Sequence, residues 1–171
     1  MVGYGLTMPK TPSRTVPDLG GMLDEVGMHL ARRAGEALAE IGITLRMQCV
    51  LLHALEAERS QIEIAELSRL DKTTMVTTMD QLEDAGYAVR KPSPSDRRAR
   101  IVVVTDEGAR IAAAGQKIVD AVHRQALAAL QPSERSAFLT ALRTLAQATS
   151  TSDRPEASPA GVRRRRQRTT G

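Results

Sequence analysis

Four threonines and a lysine crowd one short stretch of this chain. They are Lys72, Thr73, Thr74, Thr77 and Thr78, and they are interleaved with Met75, Val76 and Met79. Hydroxyl groups bond to phosphates and base edges, and a threonine methyl can contact the methyl of thymine. Threonine is a mediocre helix former, so this density favours nucleic-acid recognition over a helix face that is merely solvated.

A second stretch, residues 90–100, concentrates positive charge. It contains Arg90, Lys91, Arg97, Arg98 and Arg100 against one acid, Asp96. The chain as a whole carries +4, but residues 18–150 carry −2, because the surplus lies in residues 1–17 and 151–171. A basic stretch in a mildly acidic body can bind phosphates or place an arginine in a narrow minor groove. A solvated loop is the alternative for any such run of charge.

Hydrophobic periodicity predicts the elements that position both stretches. Apolar residues at steps of three and four predict an amphipathic helix over residues 18–41. Thr44, Ser60 and Asp71 are the predicted N-caps of three further helices. Only residues 68–70 separate the last two of these, so they predict a helix-turn-helix whose second helix carries the threonines.

Beyond this motif the apolar period changes from helical to two. Residues 87–91 and 99–104 predict two strands, and the turn-rich basic link 92–98 makes them a β-hairpin. A long helix is predicted from Thr105 and a last one with Pro132 in its first turn. The predicted fold class is mainly α with a small β-hairpin wing, a winged helix-turn-helix between long N- and C-terminal helices.

Composition argues against several classes of protein. Cys49 is the only cysteine, so neither an internal disulfide nor a thiol cluster for zinc is expected, and three scattered histidines make a poor metal site. No paired nucleophile and base or glycine-rich phosphate loop indicates an enzyme, and no cofactor is expected. With neither a signal peptide nor a membrane-spanning run in the sequence, the expectation is a cytoplasmic protein with no membrane partner.

Residues from about 43 to 108 resemble the winged-helix core of the MarR (multiple antibiotic resistance regulator) family. The matching stretches are residues 60–67, 71–76, 80–87 and 95–100. The last of them, Ser-Asp-Arg-Arg-Ala-Arg, is the most specific. With the flanking helices, the resemblance extends over about residues 18–148.

Periodicity, composition and this resemblance together predict the domain organisation. The predicted parts are a flexible N-terminal arm (1–17), a winged helix-turn-helix domain (18–150) with a DNA-binding core (43–105) and dimerisation helices (18–42 and 106–150), and a disordered Arg-rich tail (151–171). Counterion release by the tail could add non-specific DNA affinity, or the tail could have no specific role.

The resemblance also implies roles for individual residues. The implied DNA-contacting residues are Gln61, Lys72, Thr73, Thr74, Thr77, Arg97, Arg98 and Arg100. Asp96 would brace the wing while Arg98 enters the minor groove, with Arg97 on the backbone. Many relatives carry Arg where this chain has Thr77, so their base preference does not transfer.

The expected function is that of a sequence-specific DNA-binding transcriptional regulator, a repressor that a small molecule releases from its operator. A homodimer on a palindromic operator is expected, because the outer helices carry longer apolar stripes than one winged-helix lobe needs. A winged helix used only for protein contacts would have a neutral wing, which this chain lacks. A chromatin-coating role is favoured only by the tail.

The signal that such a regulator would sense is less constrained. The resemblance implies a small aromatic or phenolic effector, with His29 and Arg33 as candidate ligand-binding residues. The favoured alternative for Arg33 is an interface salt bridge or a side chain that extends along an apolar face. A redox-sensing regulator acting through Cys49 is the alternative function, although an apolar setting favours a packing role for this residue.

Overall fold

In a computed structural model that describes residues 17–93 and 99–152, six helices and two strands follow one another. They are α1 (Leu19–Ala39), α2 (Leu45–Glu56), α3 (Gln61–Leu67), α4 (Lys72–Asp84), β1 (Ala88–Pro92), β2 (Arg100–Val104), α5 (Asp106–Leu127) and α6 (Pro132–Ser152). The predicted fold class, mainly helical with a two-stranded hairpin, is confirmed. Of the predicted parts, the arm up to residue 16, the hairpin tip 94–98 and the tail from 153 lie outside the described residues.

The helices begin where polar side chains satisfy their first amide groups. Thr44 Oγ1 accepts a bond from the Met47 amide at 3.2 Å, and an Asp71 carboxylate oxygen accepts from the Thr74 amide at 2.9 Å. Ser60 forms a capping box with Glu63, in which each side chain accepts from the other residue's backbone amide. The three predicted N-caps therefore start α2, α3 and α4.

The two strands pair as an antiparallel hairpin, with Ala88 opposite Val104 and Pro92 opposite Arg100. The prediction that Pro92 lies in the loop is wrong, since this residue closes β1. The Ser93 amide donates to the Ala99 carbonyl at 3.0 Å, so the neighbouring pair that contains Pro92 is a non-hydrogen-bonded one. The missing amide of proline costs no ladder bond at that position.

The chain divides into two compact units, Met1–Ala126 and Leu127–Gly171. The core of the first joins residues from α1 to α5: Leu38, Ile43, Met47, Val50, Leu51, Ile64, Met75, Met79, Leu82, Ala88, Val102 and Ala112. The second contains α6, which begins after Gln131, whose carbonyl accepts from the Glu134 amide at 3.0 Å. Gln131 therefore caps the start of α6.

Helix α5 packs through small residues against α2 and against the turn that follows α4. A Cβ added at Gly108 would overlap the Tyr87 carbonyl oxygen, and one added at Gly115 would overlap the side-chain amide of Gln48. The buried Gln48 amide donates to the Ala112 carbonyl at 2.9 Å. These contacts fix the direction in which α5 leaves the hairpin.

The first half of α1 presents an apolar strip to solvent, with Leu19, Leu23 and Val26 all exposed. Farther along the helix, Ala34 and Leu38 are buried. None of the described helices has the length and hydropathy required to cross a lipid bilayer.

Candidate DNA-binding face

Helix α4 displays most of the threonines and the lysine that the sequence singled out. Lys72, Thr73 and Thr77 are exposed and Thr74 is half-buried, whereas Thr78 is buried and donates to the Thr74 carbonyl at 2.7 Å. Thr78 therefore packs within the lobe. The exposed residues recur at the spacing of one helix face, as recognition by α4 requires.

The threonine hydroxyls of α4 already donate within the helix. Thr74 donates to the Asp71 carboxylate at 2.6 Å, and Thr77 donates to the Thr73 carbonyl at 3.1 Å. The bonds from the side chain and backbone of Thr74 hold the pKa of Asp71 below its usual value. Because these hydroxyl hydrogens are already used, Thr74 and Thr77 can accept hydrogen bonds from a ligand and contact it through their methyl groups, but they have no free hydroxyl hydrogen to donate.

A shallow groove of about 210 Å³ separates this face from the start of α2. Thr44 and Arg46 line one side, and Thr73, Thr77 and Gln81 line the other. Arg46 and Gln81 are not among the site residues predicted from the sequence. Their positions in an ordinary helical pattern carry no signal, since only the packing of α2 against α4 brings Arg46 to this groove.

Arg90 ties β1 to the helix-turn-helix. Its Nη2 donates to Asp80 Oδ1 at 2.7 Å and to the Val76 carbonyl at 3.1 Å, and its Nη1 bonds to Glu83. Its Nε donates to Gln61 Oε1 at 3.2 Å. One guanidinium thus joins α3, α4 and the hairpin, and its charge is balanced by two carboxylates.

The cations that the sequence places in the hairpin therefore do not all lie on its surface. Arg90 is engaged inside the lobe, while Lys91 and Arg100 are exposed. Asp96, Arg97 and Arg98, to which the resemblance assigned the wing contacts, lie outside the described residues. Within the described part of the hairpin, the exposed cations are therefore Lys91 and Arg100.

A larger, mostly apolar cavity of about 490 Å³ opens beside the exposed face of α4. Its walls come from α3, the first half of α4 and the start of β2, with Gln61, Ala65, Met75, Val76 and Ala99 among the lining residues. Lys72 and Arg100 also line it. The cavity therefore combines an apolar interior with cationic side chains, next to residues predicted to contact DNA.

The candidate ligand-binding residues of α1 lie apart from both cavities. His29 and Arg33 are exposed, and Arg33 Nη2 donates to Gln125 Oε1 on α5 at 2.6 Å. Cys49 lies half-buried on α2, and burial raises the pKa of its thiol. A raised pKa lowers the thiolate fraction on which oxidation depends.

Comparison with known proteins adds independent information. A model of the MarR family matches residues 41–99. The transcriptional repressor CouR, in a structure bound to a 23-mer DNA duplex, is 32% identical over 75% of this chain and 92% of its own, with a TM-score of 0.65. CouR from Rhodococcus jostii RHA1 bound to p-coumaroyl-CoA matches with 30% identity, the same coverage and the same TM-score of 0.65.

A MarR family protein from Mycobacterium tuberculosis, in complex with p-aminosalicylic acid, is 27% identical over 76% of this chain and 99% of its own, with a TM-score of 0.66. The family model covers the helix-turn-helix and the first strand of the hairpin, and the CouR match extends the likeness to most of both chains. On these grounds the chain belongs to the MarR family of transcriptional regulators.

Proposed function

We propose that this protein is a sequence-specific DNA-binding repressor that acts as a homodimer on a palindromic operator. The observation that carries the proposal is the capped helix α4, whose exposed Lys72, Thr73 and Thr77 stand beside a basic hairpin. The likeness to CouR, a repressor with DNA bound, supports the same role. A recognition helix that enters the major groove reads bases with its N-terminal half, where these residues lie.

In this proposal the base-reading and backbone contacts are divided between two elements. Thr73, Thr74 and Thr77 face the major groove, while Lys72 binds a phosphate and Gln61 helps to dock α3. The Arg98 side chain enters the minor groove, oriented by Asp96, and Arg97 and Arg100 bind the backbone. Arg90 holds both elements in one orientation through its bonds to Asp80 and Glu83.

The proposed function is tested by selecting duplexes from a random pool with the full chain and measuring the dissociation constant (Kd) for the selected duplex. Arg98→Ala should weaken binding by about tenfold or more, because a charged contact to DNA is lost. Arg110→Ala is the matched control, since this exposed arginine pairs with Glu107 on α5. A pool that yields no enriched sequence would refute the proposal, and equal effects of the two variants would refute the wing assignment.

We further propose that a small aromatic or phenolic acid releases the protein from DNA. The cavity between α3, α4 and β2 has the size and apolar lining of a small-molecule site, and Lys72 can pair with a carboxylate. Solved MarR relatives hold p-aminosalicylic acid, which is a small aromatic acid, and p-coumaroyl-CoA, in which a phenolic acyl group is joined to coenzyme A. A ligand in this cavity would contact Gln61, Lys72 and Val76, so that effector and DNA would be linked thermodynamically.

Two variants distinguish this cavity from the alternative site at His29 and Arg33. Ala65→Met should fill part of the cavity and abolish the increase in melting temperature that p-coumaric or p-aminosalicylic acid produces. Arg33→Ala should leave that increase unchanged. The reverse result would move the effector site to α1.

A further inference from the structure

The exposed face of α4 offers a DNA duplex little positive charge and few free hydrogen-bond donors. Residues 72–84 contain one cation, Lys72, and three acids, Asp80, Glu83 and Asp84. The hydroxyls of Thr74 and Thr77 donate within the helix. A duplex presents phosphate oxygens on both sides of its major groove, so hydrogen-bond donors and positive charge must come from neighbouring elements.

Arg46 stands where such a donor is required. It is the second residue of α2, it is exposed, and it lines the same groove as Thr73, Thr77 and Gln81. Among residues 17–93 and 99–152, no hydrogen bond or ion pair engages its guanidinium. It differs in this from Arg90, whose charge is balanced by two carboxylates.

The backbone around Arg46 favours an anion as its partner. The first turn of a helix leaves amide groups without intrahelical acceptors, and its dipole favours negative charge. Thr44 satisfies only one of these groups, the Met47 amide. Because Arg46 lies on α2 rather than on the recognition helix, a duplex that receives α4 in its major groove would bring a sugar-phosphate strand, and not base edges, next to Arg46.

We propose that Arg46 is a DNA-contacting residue that binds a backbone phosphate beside the major groove and supplies the charge that α4 lacks. This inference rests on the proposed function and assigns a contact that neither the motif nor the hairpin suggested. A planar guanidinium can bind a phosphate through two parallel bonds, which also fixes how far α4 enters the groove.

The test compares Arg46→Ala, Arg46→Lys and Arg46→Gln with Arg32→Ala, an exposed arginine on α1 that pairs with Glu36. Kd is measured by fluorescence anisotropy between about 50 and 200 mM KCl, on the selected duplex and on the unselected pool. Arg46→Ala and Arg46→Gln should bind about tenfold more weakly. Their slope of log K against log salt should be about one unit shallower. Arg46→Lys should keep the slope.

Two results would overturn the proposal. In the first, Arg46→Ala and Arg46→Gln have the same Kd and the same salt slope as Arg32→Ala. The other is a relaxed base preference at one position with an unchanged slope, which would make Arg46 a base-reading residue. Phosphate contacts do not depend on base sequence, so the salt slope measured on the unselected pool also tests the role of Arg46. If the wild-type protein bound the selected duplex and the unselected pool equally well, the proposed sequence-specific function would be refuted, independently of the result for Arg46.

Discussion

Arg90 and Arg110 have different roles because their side chains differ in how far they are buried. Arg90 has a side chain only 22% exposed and bonds to Asp80, Glu83, Gln61 and the Val76 carbonyl. Arg110 has a side chain 74% exposed and pairs with Glu107 one turn away. The first arrangement holds three elements together in a partly dehydrated site, whereas the second is a solvated pair worth little.

Arg90→Met should lower the free energy of unfolding by about 1–3 kcal/mol, because two carboxylates and a side-chain amide lose a charged donor. Arg110→Met should change it by less than about 1 kcal/mol. Urea denaturation followed by circular dichroism measures both. Equal losses for the two variants would show that Arg90 does not brace the hairpin.

At the level of elements, contacts at the start of α5 determine how this helix is joined to the hairpin and to the turn after α4. Thr105 Oγ1 accepts from the Gly108 amide at 3.0 Å and donates to the Gly86 carbonyl at 2.8 Å, so one hydroxyl caps α5 and anchors it to the turn after α4. Gly108 then passes so close to Tyr87 that no side chain fits. A change at this contact must move α5 or the hairpin.

Gly108→Ala should destabilise the protein by about 3 kcal/mol, because the new methyl overlaps a backbone carbonyl that cannot rotate away. Gly20→Ala is the control: its Cβ meets only Asp18 Oδ1 at 4.0 Å, and the change should stay within about 0.5 kcal/mol. Thermal unfolding of both variants measures the difference. A Gly108→Ala protein as stable as wild type would contradict the tight contact between α5 and Tyr87.

At the level of the whole molecule, the apolar strip of α1 is one feature that a single protomer leaves exposed to solvent. Leu19, Leu23 and Val26 are 50%, 40% and 54% exposed, and they recur at helical spacing along one side of α1. Exposed apolar strips of this kind mark protein contacts. A second copy of the chain would cover the strip and match the symmetry of a palindromic operator.

Leu23→Asp combined with Val26→Asp should convert a dimer into a monomer at micromolar concentration, because two charges cannot be buried unpaired in an apolar interface. Met28→Asp, which changes an exposed residue on another side of α1, should leave the dimer intact. Sedimentation velocity distinguishes the two states. A stable monomer of the wild-type chain would refute the proposed homodimer.

Local chemistry made several elements of the fold predictable from the sequence. Thr44, Ser60 and Asp71 cap helices because their side chains reach amides three residues along the chain, which depends on no distant partner. The change in apolar period after Gly86 predicted the two strands, because this pattern also involves only residues that are close together in the chain. Pro92 was misplaced because the register of the two strands, which pairs it with Arg100, is not a local property.

The threonines of α4 and the cations of the hairpin owe some of their properties to local sequence and others to packing. The sequence by itself determined a Thr-rich helix after a tight turn, followed by a basic hairpin, because periodicity and capping act over a few residues. Only the tertiary structure decided that Thr78 is buried, that Arg90 is a brace, and that Arg46 reaches the groove beside α4. Burial and pairing between distant elements arise from packing, and packing sets which cations remain exposed to bind an anion.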